Sequence, residues 1–87
     1  MPTYFVYVLL SESTGRLYTG QTGDLRRRLD QHNSSRSSST RNRGPWKLVH
    51  SETFDTRSDA VRRERFLKTG VGRDELARIL GAKPPSS

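Results

Sequence analysis

The segment YFVYVLLSESTGRLYTG, residues 4–20, decides the fold of this 87-residue chain. Its first part, residues 4–10, is apolar on both faces of a β-strand and rich in aromatic and β-branched types, which is typical of a strand covered on both sides. The residues SESTGR supply a turn, with Gly15 free to adopt a positive φ, and residues 16–20 form the returning strand. The segment therefore predicts a β-hairpin whose first strand is buried.

Beyond the hairpin, the sequence predicts three helices, one more strand and a polar loop. In chain order these are a helix over 25–33 with Asp24 as its N-cap, a loop over 34–43 (SSRSSSTRNR), a strand over 46–54, a helix capped by Ser58 and Asp59 that runs to Lys68 and ends at Gly70 and Gly72, and a short helix over 73–80. We expect a single domain over residues 1–80 and a disordered tail over 81–87.

The order β-β-α-β-α-α predicts an α+β fold, in which helices flank a small three-stranded antiparallel sheet. The third strand can pair either with the first strand or outside the second. Because the first strand is apolar on both faces, the sequence favours the arrangement in which that strand is central.

The composition is strongly basic, and it indicates an anionic partner. Thirteen Arg and three Lys face nine acidic residues, for a net charge of +7, which points to nucleic acid or a membrane surface. The sequence has no apolar run of membrane-spanning length and no Cys, so a spanning helix, a disulfide framework, a zinc knuckle and a thiol nucleophile are excluded. The N-terminal segment lacks the features of a secretory signal, and we expect a cytoplasmic protein that does not bind membranes.

Two charged or titratable residues fall on the apolar face of the first predicted helix. At about 100° per residue, one face carries Leu25, Arg28, Leu29 and His32. An Arg that faces the sheet needs an acid, a bound anion or a wet cleft, because desolvating it without a partner costs several kcal/mol. The alternative is that Arg28 reaches past the helix edge while His32 caps the helix C-terminus.

The second predicted helix places an acid within its apolar stripe. Glu64 shares a face with Ala60, Val61, Leu67 and Lys68. Either Glu64 forms an ion pair with Arg28 that closes the core, or its carboxylate lies at a cleft and holds a divalent cation.

Two tyrosines lie on the neighbouring strands of the predicted hairpin. Tyr7 and Tyr18 can approach each other as cross-strand neighbours, and they are either core residues or part of a site. Gly20, at the end of the second strand, permits close approach of a ligand to the backbone. Only Trp46 and a few tyrosines could stack on bases, so we expect weak sequence readout.

Basic residues surround these candidates and favour nucleic acid over a membrane as the partner. They adjoin a Ser-rich loop that can donate hydrogen bonds to phosphate. The residues expected to contact nucleic acid are Gly20, Arg26, Arg27, Arg36, Thr40, Arg41 and Arg43.

Together these residues resemble the GIY-YIG nuclease superfamily, especially its small single-domain members. Phe5-Val6-Tyr7 stands at the Gly-Ile-Tyr element of the family, and Tyr18-Thr19-Gly20 stands at its Tyr-Ile-Gly element, eleven residues on from tyrosine to tyrosine. The resemblance covers about residues 3–75, and its remaining parts are Arg28 at the arginine position, His32 one turn later, Thr40-Arg41, Pro45 to Val49, and Ala60 to Lys68.

The resemblance implies cleavage of phosphodiester bonds with one divalent metal ion, Mg²⁺ or Mn²⁺, held by Glu64. One carboxylate is enough for Mg²⁺, which keeps several waters and takes substrate phosphate oxygens as further ligands. Arg28 would neutralise charge that develops in the transition state. Tyr7 is the expected general base and Tyr18 the expected positioner of phosphate or water. Otherwise the tyrosine only orients the water, and His32 or a hydroxide on the metal is the base.

The leading hypothesis is thus an endonuclease acting on single-stranded, branched or locally opened DNA with low sequence specificity, in a DNA-repair setting, with RNA as a second candidate substrate. The alternative is a basic nucleic-acid-binding protein without turnover, whose affinity would fall steeply with salt. A third possibility, a structural ribosome-associated protein, requires Arg28 and Glu64 to be paired and shielded from solvent. The sequence predicts no oligomeric state.

Overall fold

The computed structural model describes residues 2–34 and 45–81, which form three strands and three helices. These are β1 (Tyr4–Ser11), β2 (Leu17–Thr22), α1 (Leu25–Asn33), β3 (Trp46–Phe54), α2 (Arg57–Leu67) and α3 (Gly70–Ile79). Apart from Ser34 and Gly81, the predicted loop and the predicted tail lie outside the described residues. The same applies to four candidate residues for nucleic-acid contact, Arg36, Thr40, Arg41 and Arg43.

The sheet has the predicted topology, with strand order β2-β1-β3 and both pairings antiparallel. Gly15 adopts a φ of 75° in the hairpin turn. Tyr7 pairs with Gly20 on β2 and with Ser51 on β3. The central position of β1, which the apolar character of both its faces predicts, is therefore confirmed.

The two faces of β1 belong to two separate apolar clusters. Val6 and Val8 pack on one face against a cluster completed by Ala60, Leu67 and Leu76. On the other face lies the α1-side cluster, which consists of Tyr7, Leu9, Trp46, Tyr18, Leu25, Leu29 and Leu48. Helix α1 thus covers one face of the sheet and helices α2 and α3 cover the other, so the fold has three layers.

Capping explains where the helices begin, and it corrects two predictions. The Asp24 side chain accepts a hydrogen bond from the Arg27 amide, as predicted for α1. The prediction that Ser58 and Asp59 cap α2 is wrong, because Thr56 is extended and its side chain accepts from the Asp59 amide. Helix α2 therefore starts one residue after Thr56.

Gly70 and Gly72 do not simply end α2, as the sequence suggested, because both belong to α3. Thr69 is the N-cap of α3, and its hydroxyl accepts from the Gly72 amide at 3.1 Å. A Cβ at Gly72 would collide with the backbone of Phe66 and Leu67. The glycine therefore lets the first turn of α3 pack directly on the end of α2.

An ion-pair network joins β3, α2 and α3. Arg63 donates through Nε and Nη2 to the two carboxylate oxygens of Glu52 at 2.8 and 3.1 Å, and Nη2 also donates to Glu75 at 2.8 Å. His50 contacts Glu52 at 2.8 Å. This network was not predicted. None of the described helices combines the length and apolar character needed to cross a membrane.

Candidate active site

The hydroxyl of Tyr7 is the centre of the candidate site. Tyr7 lies in the middle of β1 and is 1% exposed. Its Oη is 3.0 Å from Nε2 of His32, and the Nε of Arg28 donates to the same oxygen at 3.3 Å. Because guanidinium groups only donate hydrogen bonds, Tyr7 Oη is the acceptor from Arg28, and its own proton can point toward His32.

Helix α1 brings Arg28 and His32 to this hydroxyl. Leu25 and Leu29 pack in the α1-side cluster, so residues at the same helical spacing also face the sheet. His32 is 1% exposed, and Arg28 Nη1 donates to Gln31 Oε1 at 2.9 Å. The arrangement in which Arg28 faces the sheet is confirmed, and the alternative in which it extends past the helix edge is not seen.

Gly20 makes room for the tyrosine hydroxyl. A Cβ at this position would lie 2.5 Å from Tyr7 Oη and 2.7 Å from Tyr7 Cζ, well inside van der Waals contact. The phenol of Tyr7 therefore occupies the space that the sequence assigned to an approaching ligand. Contact between Gly20 and nucleic acid stays a prediction. The packing of Tyr7 is by itself enough to explain why position 20 requires glycine.

Tyr18 and Trp46 extend the site into a ring cluster. The ring of Tyr18 is 4.8 Å from that of His32, 6.2 Å from that of Tyr7 and 6.3 Å from that of Trp46, measured between centroids. Trp46 is only 6% exposed, so its indole offers little surface for stacking on bases. Its ring packs instead against that of Tyr18.

Burial and charge set the protonation states of this group. Burial raises the pKa of Tyr7 to about 12, although the Arg28 hydrogen bond acts in the opposite direction. Burial, with a smaller contribution from the Arg28 charge, lowers the pKa of His32 to about 4. The pKa of Arg28 is raised above its ordinary value by the Tyr7 hydrogen bond, and Tyr18 adds to that shift. At neutral pH the site therefore contains a neutral phenol, a neutral imidazole and a guanidinium cation.

Glu64, on α2, does not pair with Arg28. Its side chain is 20% exposed, and its Oε2 accepts a hydrogen bond from Lys68 Nζ at 2.6 Å, one helical turn away. Its negative charge contributes to the raised pKa of Tyr7, so the carboxylate lies within electrostatic range of that hydroxyl. The prediction of an Arg28–Glu64 ion pair is thus wrong, and the ribosomal hypothesis that required it loses its basis.

The donor set around Glu64 fits a divalent ion held by one protein ligand. Within the part of the chain that the structure describes, no three His, Cys, Asp or Glu side chains cluster to bind a metal. A cation, the ammonium of Lys68, is already in contact with Glu64 Oε2. A partly exposed carboxylate that attracts a cation and leaves the other ligand positions to water and phosphate suits Mg²⁺ or Mn²⁺.

The remaining sequence candidates either are exposed on α1 or lie outside the described residues. Arg26 and Arg27 are exposed on α1. Sequence reasoning missed Asn33, whose side chain accepts from the Trp46 amide at 2.7 Å and donates to the Trp46 carbonyl at 3.1 Å. It also missed Gln31, which orients Arg28, although the spacing of three residues on one helix was a usable signal.

The fold and these positions define a member of the GIY-YIG family. A family model described as "GIY-YIG catalytic domain" matches residues 3–75, which include Tyr7, Tyr18, Arg28, His32 and Glu64. The chain belongs to this family, which is a family of nucleases.

Individual relatives are UPF0213 proteins of similar size. The chain is 41% identical to the UPF0213 protein SAG0778 of Streptococcus agalactiae, over 91% of this chain and 89% of that protein. It is 45% identical to the UPF0213 protein HQ_3675A of Haloquadratum walsbyi, over 76% and 74% of the two chains. The solution NMR structure of the UPF0213 protein BH0048 from Bacillus halodurans superposes with a TM-score of 0.56 and 32% identity, covering 88% of this chain and 84% of that one. Our chain shares its α+β fold with this structure.

Proposed function

We propose that this protein is a metal-dependent endonuclease that hydrolyses DNA phosphodiester bonds. The observation that carries the proposal is the buried Tyr7 hydroxyl, held between the Nε of Arg28 and the Nε2 of His32, within electrostatic range of the Glu64 carboxylate. A tyrosine that only packs in the core needs one hydrogen-bond partner for its hydroxyl. The Tyr7 hydroxyl has two, the Arg28 cation and the neutral imidazole of His32, which suits a proton-transfer role.

Arg28 and Glu64 have complementary tasks in this proposal. Arg28 stabilises the negative charge that grows on the phosphoryl oxygens, because its guanidinium is already fixed by Tyr7 and Gln31. Glu64 would hold the divalent ion, which when bound would supply further positive charge at the scissile phosphate and lower the pKa of a bound water. GIY-YIG nucleases generally depend on divalent metals, and Mg²⁺ or Mn²⁺ is the ion proposed here.

The proton of the attacking water passes to Tyr7 and on to His32. With a pKa of about 12, forming tyrosinate in advance at pH 7 costs about 7 kcal/mol. His32 is already unprotonated at neutral pH and can accept the Tyr7 proton as Tyr7 takes that of the water. The substrate phosphate offsets the Arg28 charge, which is one cause of the low His32 pKa, and so makes His32 more basic during the reaction.

Tyr18 has a supporting part. Its ring packs against His32, and its phenol contributes to the raised pKa of Arg28. We propose that its hydroxyl positions the phosphate or the water. Single-stranded, branched or locally opened DNA is the preferred substrate in this proposal. We expect weak sequence readout, because burial of Trp46 leaves few aromatic side chains that could stack on bases.

The experiment is a cleavage assay with labelled single-stranded, duplex and branched DNA, and with RNA, in Mg²⁺, Mn²⁺ or EDTA. The proposal expects cleavage with metal only. The Glu64→Gln variant should lose most turnover yet bind DNA nearly normally, whereas Glu12→Gln, in the exposed hairpin turn, should cut at the wild-type rate. Cleavage by Glu64→Gln at the wild-type rate would refute the role of Glu64.

Absence of products from every substrate, together with salt-dependent binding in EDTA, would favour the alternative of a nucleic-acid-binding protein without turnover. The net charge of +7 supports binding in either case. Metal-dependent cleavage that is lost in Glu64→Gln would favour the endonuclease over the binding protein.

A further inference from the structure

A groove of about 570 Å³ lies between β2 and the junction of α2 with α3. Its floor includes Thr19, Leu67 and Leu76, which are all buried. Its volume is within the range of small-ligand sites, which run from about 300 to 1,000 Å³. The groove is therefore large enough to accept one nucleotide unit of a strand.

The rim of this groove is cationic. It is lined by Arg16, which directly precedes β2, and by Lys68 and Arg73 at the helix junction, and all three are exposed. In the part of the chain that the structure describes, no acidic side chain lines the groove. Among the described residues, Lys68 is paired with Glu64, whereas Arg16 and Arg73 have no ion pair and no side-chain hydrogen bond. Two uncompensated guanidinium groups thus face the same hollow.

The groove continues into the candidate active site at two points. Tyr18 lines the groove, and its ring also contacts the rings of His32 and Tyr7. Lys68 lines the groove as well, and its ammonium is bound to Glu64. A strand whose scissile phosphate lies at Arg28 and Glu64 can therefore extend into this groove.

We infer that the groove binds the sugar-phosphate backbone of the DNA strand on one side of the scissile bond. Arg16 and Arg73 bind its phosphates, because the planar guanidinium group can donate two hydrogen bonds to the oxygens of one phosphate. Leu17, which is exposed, and Tyr18 offer an apolar surface to the adjoining sugar or base. The inference rests on the proposed function, and it adds a strand-binding surface that the sequence did not indicate.

A concave site suits a strand better than a membrane. The apolar floor, Leu67 and Leu76, is 1% and 2% exposed, so a bilayer surface cannot reach it. Of the groove residues that the structure describes, Leu17 is the only strongly exposed apolar one, and one such side chain is too little for membrane insertion.

The test is DNA binding by Arg16→Ala/Arg73→Ala, compared with Arg62→Ala/Arg65→Ala. The control pair removes the same charge from exposed positions of α2 outside the groove. All proteins carry Glu64→Gln and are measured in EDTA with a fluorescent single-stranded oligonucleotide from 50 to 200 mM salt. Loss of two phosphate contacts should reduce the slope of log K against log salt by about 1.4.

The expected result is this reduced slope for the groove variant, with less than half as much change for the control. In NMR spectra of the same Glu64→Gln protein, the oligonucleotide should shift the amides of Leu17, Thr19 and Arg73. Equal slopes for the two variants, or shifts confined to α1, would overturn the inference. Because this readout needs no turnover, it can fail while wild-type cleavage succeeds, or succeed while cleavage fails.

Discussion

Tyr7 and His32 are joined by a hydrogen bond of 3.0 Å across the interface between β1 and α1. Both side chains are almost fully buried, and burial moves the pKa of each away from neutrality, upward for the phenol and downward for the imidazole. The pair is therefore neutral at pH 7, with a proton on the donor and a free lone pair on the acceptor. This arrangement is suited to passing one proton without separating charge in the resting state.

The first prediction tests this pair through a double-mutant cycle. Tyr7→Phe removes the hydroxyl and should lower kcat by about 10²- to 10⁴-fold, the usual contribution of a positioned acid or base. His32→Gln should have a similar effect. If both act on one proton, the double variant is no slower than the slower single variant. Single-turnover rates with Mg²⁺ measure this, and multiplying effects would mean that the two residues act independently.

The second prediction concerns the space above Gly20. In Gly20→Ala, the new Cβ would lie 2.5 Å from Tyr7 Oη, so Tyr7 must move, at a cost of about 1–3 kcal/mol in the free energy of unfolding. Turnover should fall because the hydrogen bonds to Arg28 and His32 are lost. Gly70→Ala is the matched control, since a Cβ there meets nothing within 4 Å. Urea unfolding and cleavage rates provide the measurements. Unchanged activity in Gly20→Ala would contradict the close packing.

Much of this site could be predicted from the pattern of apolar residues along β1 and α1. The apolar character of residues 4–10 on both strand faces predicts a central β1, and the helical period predicts that Arg28 and His32 face the sheet. These properties are local, because they depend only on backbone geometry and on which residues are apolar. Their meeting at Tyr7 required only that α1 cover the β1 face to which Tyr7 points.

Pairing between elements could not be predicted in the same way. Glu64 binds Lys68 rather than Arg28, because a partner one turn along the same helix is always within reach. Arg63 on α2 binds Glu52 on β3 and Glu75 on α3. The pairs of Arg63 depend on how α2 packs against β3 and α3, and sequence spacing carries no information about that packing.

The third prediction concerns pH and His32. The pKa of His32 is about 4 in the folded protein, against about 6.5 in the unfolded chain. The unfolded state therefore binds the proton first, and acidification from pH 6.5 to pH 4 should cost about 3 kcal/mol of stability. Below pH 4 both states are protonated and the penalty is constant. The difference in unfolding free energy between His32→Gln and wild type should shift by this amount over that range, and a flat difference would contradict the burial of a neutral imidazole.

The fourth prediction concerns the ion-pair network. Arg63→Ala leaves Glu52 and Glu75 without their shared partner, so we expect a loss of about 2–3 kcal/mol in the free energy of unfolding. Arg65→Ala, at an exposed position of the same helix, should change the free energy of unfolding by less than about 0.5 kcal/mol.

The same network makes stability depend on pH. The Arg63 hydrogen bond holds the pKa of Glu52 below its ordinary value, so this carboxylate stabilises the fold above about pH 4.5. That contribution is lost as pH falls below it. Urea unfolding of both variants at pH 7 and pH 3.5 tests both statements.

The fifth prediction follows from the contact between Lys68 and Glu64. The ammonium lies 2.6 Å from Glu64 Oε2, where a divalent ion would bind, so the two cations compete for one carboxylate. A half-exposed pair of this kind is worth up to about 1 kcal/mol, which corresponds to about fivefold in affinity. Lys68→Ala should therefore bind Mn²⁺ up to about fivefold more tightly, measured by EPR of free Mn²⁺ without nucleic acid.

Two variants serve as controls for this prediction. Arg62→Ala removes the same charge from α2 without touching Glu64 and should leave the Mn²⁺ affinity nearly unchanged. Glu64→Gln should abolish Mn²⁺ binding, both alone and combined with Lys68→Ala. Equal Mn²⁺ affinity in Lys68→Ala and Arg62→Ala would mean that the ion does not use this oxygen.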